Sequence, residues 1–118
     1  MKLSPNFSRS EFACKCGCGQ DTVDAELITV LELVRDHFNQ PITVNSGNRC
    51  TAYNKSVGGA KSSQHLKGRA ADITVRGHAP SEVHAYLDPW HKGGLGKYDT
   101  FTHVDSRKPT ETGTRWFS

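Results

Sequence analysis

The chain has 118 residues, a formal net charge of +3 and four cysteines, with a sequence pI near 8.7. That length supports one domain, residues 1–118, with a modest core, and the mild positive charge suits an anionic substrate or wall polymer without demanding one. No Lys/Arg run with interleaved aromatics and no nucleic-acid motif occurs, which argues against nucleic acid, and no stretch approaches the roughly eighteen apolar residues of a membrane span.

Met1 to Phe7 lacks the apolar centre of a secretory signal, so synthesis in a cytoplasm without a signal peptide is expected. Ser8-Arg9-Ser10-Glu11-Phe12 carries cap-type residues ahead of an acid and predicts a short helix that docks Phe7 and Phe12 on the core. Cys14, Cys16 and Cys18 follow at alternate positions, which is not the spacing of a zinc knuckle or a redox pair, and Cys50 lies far along the chain. Two disulfides, a second thiolate metal site or free thiols are all compatible with these four, and cytoplasmic synthesis favours free thiols. Over Asp24 to Asn39, Leu27, Val30, Leu31, Val34 and Phe38 recur at three- and four-residue steps, which predicts the one long helix, capped by Asp24. His37, near its end, suits a surface or capping role. Pro41 ends the helix, and Ile42-Thr43-Val44-Asn45 predicts the first core strand.

Ser46-Gly47-Asn48-Arg49 leaves that strand as a turn that aims Arg49 across a cleft. A guanidinium pairs a carboxylate through two parallel hydrogen bonds, so Arg49 is the candidate for holding a peptide carboxylate. Tyr53-Asn54-Lys55 and Val57-Gly58-Gly59-Ala60 suggest a flexible loop over that cleft, and Ser63 and Gln64 are candidate hydrogen-bond donors to a substrate. His65 and Asp72 stand seven positions apart across Gly68. Ala70 to Val75 predicts a strand of small and β-branched residues, entered through a tight turn at that glycine. A histidine from the loop and an aspartate from the strand can converge on one point, and imidazole with carboxylate suits zinc. A third ligand is available in Phe101-Thr102-His103-Val104-Asp105, where strand alternation puts His103 and Asp105 on one face. Between these segments, Pro80 opens a predicted helix to Leu87, with His84, and His91 beyond it, as packing or surface residues. Gly93 to Tyr98 and Phe101 to Asp105 predict two strands joined at Asp99-Thr100, and Thr114 to Phe117 a last short strand that needs a surface for its aromatics.

Ser63, His65, Gly68, Ala70 and Asp72 fit a Ser-x-His-x-x-Gly-x-Ala-x-Asp signature. On these residues the chain resembles the zinc D-Ala-D-Ala carboxypeptidases, a family that also holds vancomycin-resistance dipeptidases and several phage endolysins. Ser46-Gly47-Asn48-Arg49 is similar to the family's Ser-Gly-x-Arg segment, and Gly96-Lys97-Tyr98 through His103-Val104-Asp105 to its closing strand pair. The agreement runs in order from about Pro41 to Asp105. The resemblance implies one zinc per chain on His65, Asp72 and His103, with Arg49 on the substrate carboxylate. It also implies peptidoglycan peptide stems as the partner, action at the bacterial cell wall and a monomer, with release like that of phage lysins as the route out of the cell.

Two departures concern the catalytic base. The family's vancomycin-resistance branch places a glutamate three positions before the last histidine, where Thr100 stands here, and another branch places a histidine two before it, where Phe101 stands. Asp105 is then the leading base, through resemblance to the subfamily that ends in His-x-Asp, or it orients His103 instead; Asp99 ranks third. Three function classes compete. The first is a zinc peptidase that cuts D-amino-acid-containing stems, as a carboxypeptidase or an endopeptidase lysin. The second is a non-catalytic zinc-containing binding module, as in the hedgehog signalling domain. The third is a small protein stabilised by its cysteines, which the Cys-x-Cys-x-Cys spacing argues against. The expected fold is α+β, a small and mainly antiparallel sheet that carries the site, with one long and one or two short helices on its other face.

Overall fold

The computed structural model describes residues 2–61, 63–108 and 114–117; the side chain of Phe117, one of the two aromatics expected to bury near the end, lies outside the described residues. The architecture is α+β, as expected. A small hairpin of β1 (Lys2–Ser4) and β2 (Phe7–Ser8) leads into a 3₁₀ turn at Arg9–Phe12. The long helix α1 (Ala25–Phe38) follows, then β3 (Ile42–Ser46), α2 (Thr51–Ser56), a second 3₁₀ turn at Gln64–Lys67, β4 (Ala70–Val75) and α3 (Pro80–Leu87). Three short strands close the fold: β5 (Leu95–Lys97), β6 (Thr102–Asp105) and β7 (Arg115–Phe117). They form a five-stranded sheet in the order β3-β4-β6-β5-β7. Every pairing in it is antiparallel except the last, where β7 runs parallel to β5.

The apolar stripe of α1, Leu27, Ile28, Leu31 and Val34, is buried against Ile42, Val44, Ala71, Ile73 and Val75 of the sheet, with Val83 and Leu87 of α3 completing the layer. Phe7 and Phe12 are both 1% exposed and seal its end. Alternation along β4 and β6 sends Ala71, Ile73 and Val104 into this layer, so Asp72 and His103 emerge on the opposite face. Among the described residues no helix is long and apolar enough to cross a membrane.

Two local expectations fail. Thr51 to Ser56 is a helix rather than part of a flexible loop. The Cys50 sulfur caps it by accepting the Tyr53 N–H, and the buried Asn54 amide bonds the Ala60 carbonyl, so the segment is ordered by side chains that an apolar-periodicity search does not weigh. Asp24 sits at the N-cap of α1 but makes no side-chain cap; its carboxylate accepts the Ser106 hydroxyl instead and ties the helix start to the chain just beyond β6.

Candidate metal centre and substrate cleft

Antiparallel register builds the floor of the site. Ser46 of β3 faces Asp72 of β4, Asp72 faces His103 of β6, His103 faces Gly96 of β5, and Gly96 faces Trp116 of β7. One row of five residues therefore crosses the whole sheet on the face away from the helices. His65 enters from the 3₁₀ turn, which Ser63 caps by accepting the His65 N–H. Gly68 ends that turn at φ +69°, a left-handed conformation in which an added Cβ would strike Thr22.

The histidine nitrogens have fixed duties. His65 Nδ1 donates to the Gly47 carbonyl at 2.7 Å, which leaves Nε2 as the ligand atom, 3.2 Å from Asp72 Oδ1. His103 Nδ1 lies 2.9 Å from that same oxygen, and its Nε2 lies 2.8 Å from Asp105 Oδ2. In the neutral ring that a metal requires, Nε2–H goes to Asp105 and the Nδ1 lone pair faces Asp72 and His65; with a second proton, on Nδ1, the ring donates to Asp72 instead. One atom from each of His65, Asp72 and His103 falls within 4.8 Å of the others. Ligands at about 2.0–2.1 Å from a tetrahedral zinc lie roughly 3.3 Å apart, so the donor set and its spacing fit that ion. Two imidazoles and a carboxylate are also its usual catalytic set.

The sequence profile of the Peptidase M15 family matches residues 5–105. The chain belongs to peptidase family M15. It is 51% identical to the zinc D-Ala-D-Ala carboxypeptidase of Streptomyces albus G over a region that covers 56% of this chain and 28% of that protein. The match thus spans little more than a quarter of that relative's length.

The M15 site opens into a cleft of about 480 Å³, lined by His65, Asp72 and His103 together with Arg49, Ser63 and Gln64. Arg49 is held in place: its Nε donates to Ser46 Oγ at 3.0 Å, Nη1 to Asn54 Oδ1 and Nη2 to Asp72 Oδ2, both at 3.2 Å. One N–H on each terminal nitrogen is left for a ligand. Gly59 lets the loop close on this guanidinium, since a Cβ there would collide with Asn54 and Arg49. Gln64 is buried, and its Oε1 has no hydrogen-bond partner among the described residues.

Burial alone would push the Asp72 carboxyl up, but the hydrogen bonds from His103 and His65 outweigh it and hold the group well below the usual carboxylate range. His103 is the mirror case in this M15 site. Its burial opposes protonation, yet hydrogen bonds to Asp105 and Asp72 raise its pKa above the ordinary histidine value.

Asp105 occupies the rear of His103 and is not part of the cleft lining. It is fully buried. Oδ1 accepts the Gly94 and Arg107 backbone N–H groups at 2.9 and 3.0 Å, and Oδ2 accepts Arg107 Nη2 at 2.7 Å beside His103. Burial pushes this carboxyl up, but His103 and Arg107 more than offset that and keep it ionised. Asp99 is exposed and also lies outside the cleft lining.

Several cleft residues were not anticipated from the sequence. Tyr98 stacks on Phe101 with ring centroids 4.4 Å apart, and its hydroxyl accepts the Trp116 indole N–H at 2.9 Å. Trp116 lies 4.9 Å from the His103 ring and carries the Arg107 guanidinium at 4.9 Å. The Gly96 position admits this indole because it has no Cβ. The one available signal was a tryptophan near the chain end in need of a surface; its placement depends on a parallel pairing that no local pattern encodes.

Proposed function

We propose that the chain is a single zinc peptidase domain that hydrolyses D-amino-acid-containing peptide stems of bacterial peptidoglycan. The observation that carries this reading is the convergence of His65 Nε2, Asp72 Oδ1 and His103 Nδ1 at the base of an open cleft, with the Arg49 guanidinium anchored beside them. Zinc on three protein ligands supplies Lewis-acid chemistry, acidifying water and polarising a carbonyl.

The chain's own groups do the rest. Arg49 offers its two remaining N–H donors to the terminal carboxylate of a stem peptide, which favours carboxypeptidase over endopeptidase action. Gln64 Oε1 accepts a substrate N–H, which gives that orphaned oxygen a partner. Ser63 stands beside it in the cleft, with its hydroxyl available to the peptide backbone. Tyr98, whose oxygen already accepts from Trp116, keeps its own proton to offer to the developing oxyanion. Asp105 acts as the group that orients His103 rather than as the base, because its lone pairs are taken by Gly94, Arg107 and His103 behind the ring. Action on extracellular wall as a phage-lysin-like monomer is the setting that fits this chemistry.

The missing base among the described cleft residues favours a second reading, a zinc-bearing module that binds wall peptides without cutting them. A single experiment separates the two. Zinc is quantified alongside hydrolysis of purified peptidoglycan and of a synthetic stem ending in D-Ala-D-Ala, with free or amidated terminus. Release of D-Ala from the free acid alone supports the carboxypeptidase, and cleavage of the amidated stem as well supports an endopeptidase. Retained zinc with tight stem binding and no product supports the binding module. Absence of metal from a folded preparation sinks both.

A further inference from the structure

The N-terminal loop holds a second cluster of soft ligands that the peptidase reading does not use. One sulfur from each of Cys14, Cys16, Cys18 and Cys50 falls within 4.8 Å of the others. Cys14 and Cys16 are 3.4 Å apart, Cys14 and Cys50 3.7 Å, and Cys16 and Cys50 3.6 Å. All four are free thiols. A disulfide brings two sulfurs to about 2.05 Å, whereas four sulfurs each about 2.3 Å from a tetrahedral zinc lie roughly 3.8 Å from one another. The observed separations are close to the edges of that tetrahedron.

The backbone is shaped to produce this arrangement from an unpromising sequence spacing. Gly17 and Gly19 adopt φ of +83° and +89° with open space where a Cβ would stand, so conformation, not crowding, selects glycine there. An extended Cys-x-Cys-x-Cys segment would line up its sulfurs along one side. The two left-handed glycines curl it instead, and the Cys14 N–H to Gln20 carbonyl bond at 2.7 Å closes the curl. Cys50 arrives from the segment after β3, fixed by the Gln20 side chain donating to the Arg49 carbonyl at 3.0 Å. Two backbone N–H groups point at sulfur: Cys50 N–H at Cys14 Sγ and Tyr53 N–H at Cys50 Sγ, both at 3.4 Å. Such donors stabilise thiolate charge.

We propose that Cys14, Cys16, Cys18 and Cys50 form a tetrathiolate zinc site, a second and structural metal position distinct from the cleft. On binding, each thiol releases its proton to solvent and no electron is transferred. Four protein ligands leave no open position for water, so the site is closed to catalysis. Sulfur donors select zinc over magnesium or calcium. The metal fastens the loop of residues 14–19 to the residue that follows Arg49.

The test is metal and thiol counting on the full chain prepared under reductant without chelator. Expected are two zinc ions per chain in the wild type, one in Cys18→Ser and in Cys50→Ser, and one retained in the His65→Ala/His103→Ala double variant. Replacing that retained zinc with cobalt should give intense thiolate-to-metal charge-transfer absorption, and the four thiols should react with a disulfide reagent only after chelation. The cobalt and thiol readings need no cysteine variant, so a misfolded Cys→Ser protein would not leave the matter open. One zinc in the wild type that vanishes with the two histidines, four thiols that react at once in the folded chain, or a mass lower by four hydrogens from two disulfides would each overturn the proposal. None of these readouts involves hydrolysis, so the peptidase reading stands or falls separately.

Discussion

The histidine and aspartate cluster takes its three donors from a 3₁₀ turn and two paired strands, so sheet register sets its geometry. The cysteine cluster takes three of its four donors from a short loop whose shape depends on two left-handed glycines. The first is buried on every ligand yet faces a cleft; the second has two exposed cysteines. Register-built donors beside a cleft suit chemistry, while a short loop closed upon itself suits a structural metal with four protein ligands.

The sharpest way to break this contrast is His103→Ala, which should reduce stem hydrolysis to background and remove the cleft metal while leaving metal on the cysteines, read by elemental analysis beside product release. Next in size is Cys50→Ser, which should cost roughly 3 kcal/mol or more of stability, as losses of structural metal do, visible as a lowered Tm with cleft zinc still bound. Asp105→Asn should lower zinc affinity or turnover roughly 10- to 100-fold if it orients His103; a dead enzyme with unchanged zinc affinity would return Asp105 to the role of base. Arg49→Lys keeps charge but loses the fork, and should raise KM for free-acid stems roughly 10-fold, with the binding of amidated stems unchanged.

The smallest effect concerns pH. Burial lowers the pKa of His91, whose Nε2–H is given to the Asp105 carbonyl at 2.9 Å. The unfolded chain then binds a proton that the folded one refuses, so this residue subtracts stability as pH falls below its ordinary 6.5. His91→Gln should flatten the fall in stability below that value, measured by denaturant titration at each pH.

Much of the site was readable because it rests on local rules. Alternation in Thr102–Asp105 was enough to place His103 on the same face as Asp105. The direct pairing of Asp72 with His103 was not, since register between strands thirty residues apart leaves no local trace. The duty of Asp105 turned on Arg107, two residues further on, whose guanidinium and backbone N–H both bind it. A thiol cap hid the helix Thr51–Ser56. The cysteine spacing was unfamiliar because glycine conformations, not residue intervals, bring those sulfurs together.

The row from Ser46 to Trp116 has a kinetic consequence. A slip of one residue in the β4–β6 pairing would turn His103 into the apolar layer and Val104 out toward the substrate. Metal capture in the cleft therefore has to wait for the correct pairing of strands that are distant in the chain, the slow part of such folds. Zinc uptake in the cleft during refolding would serve as a clock for sheet assembly.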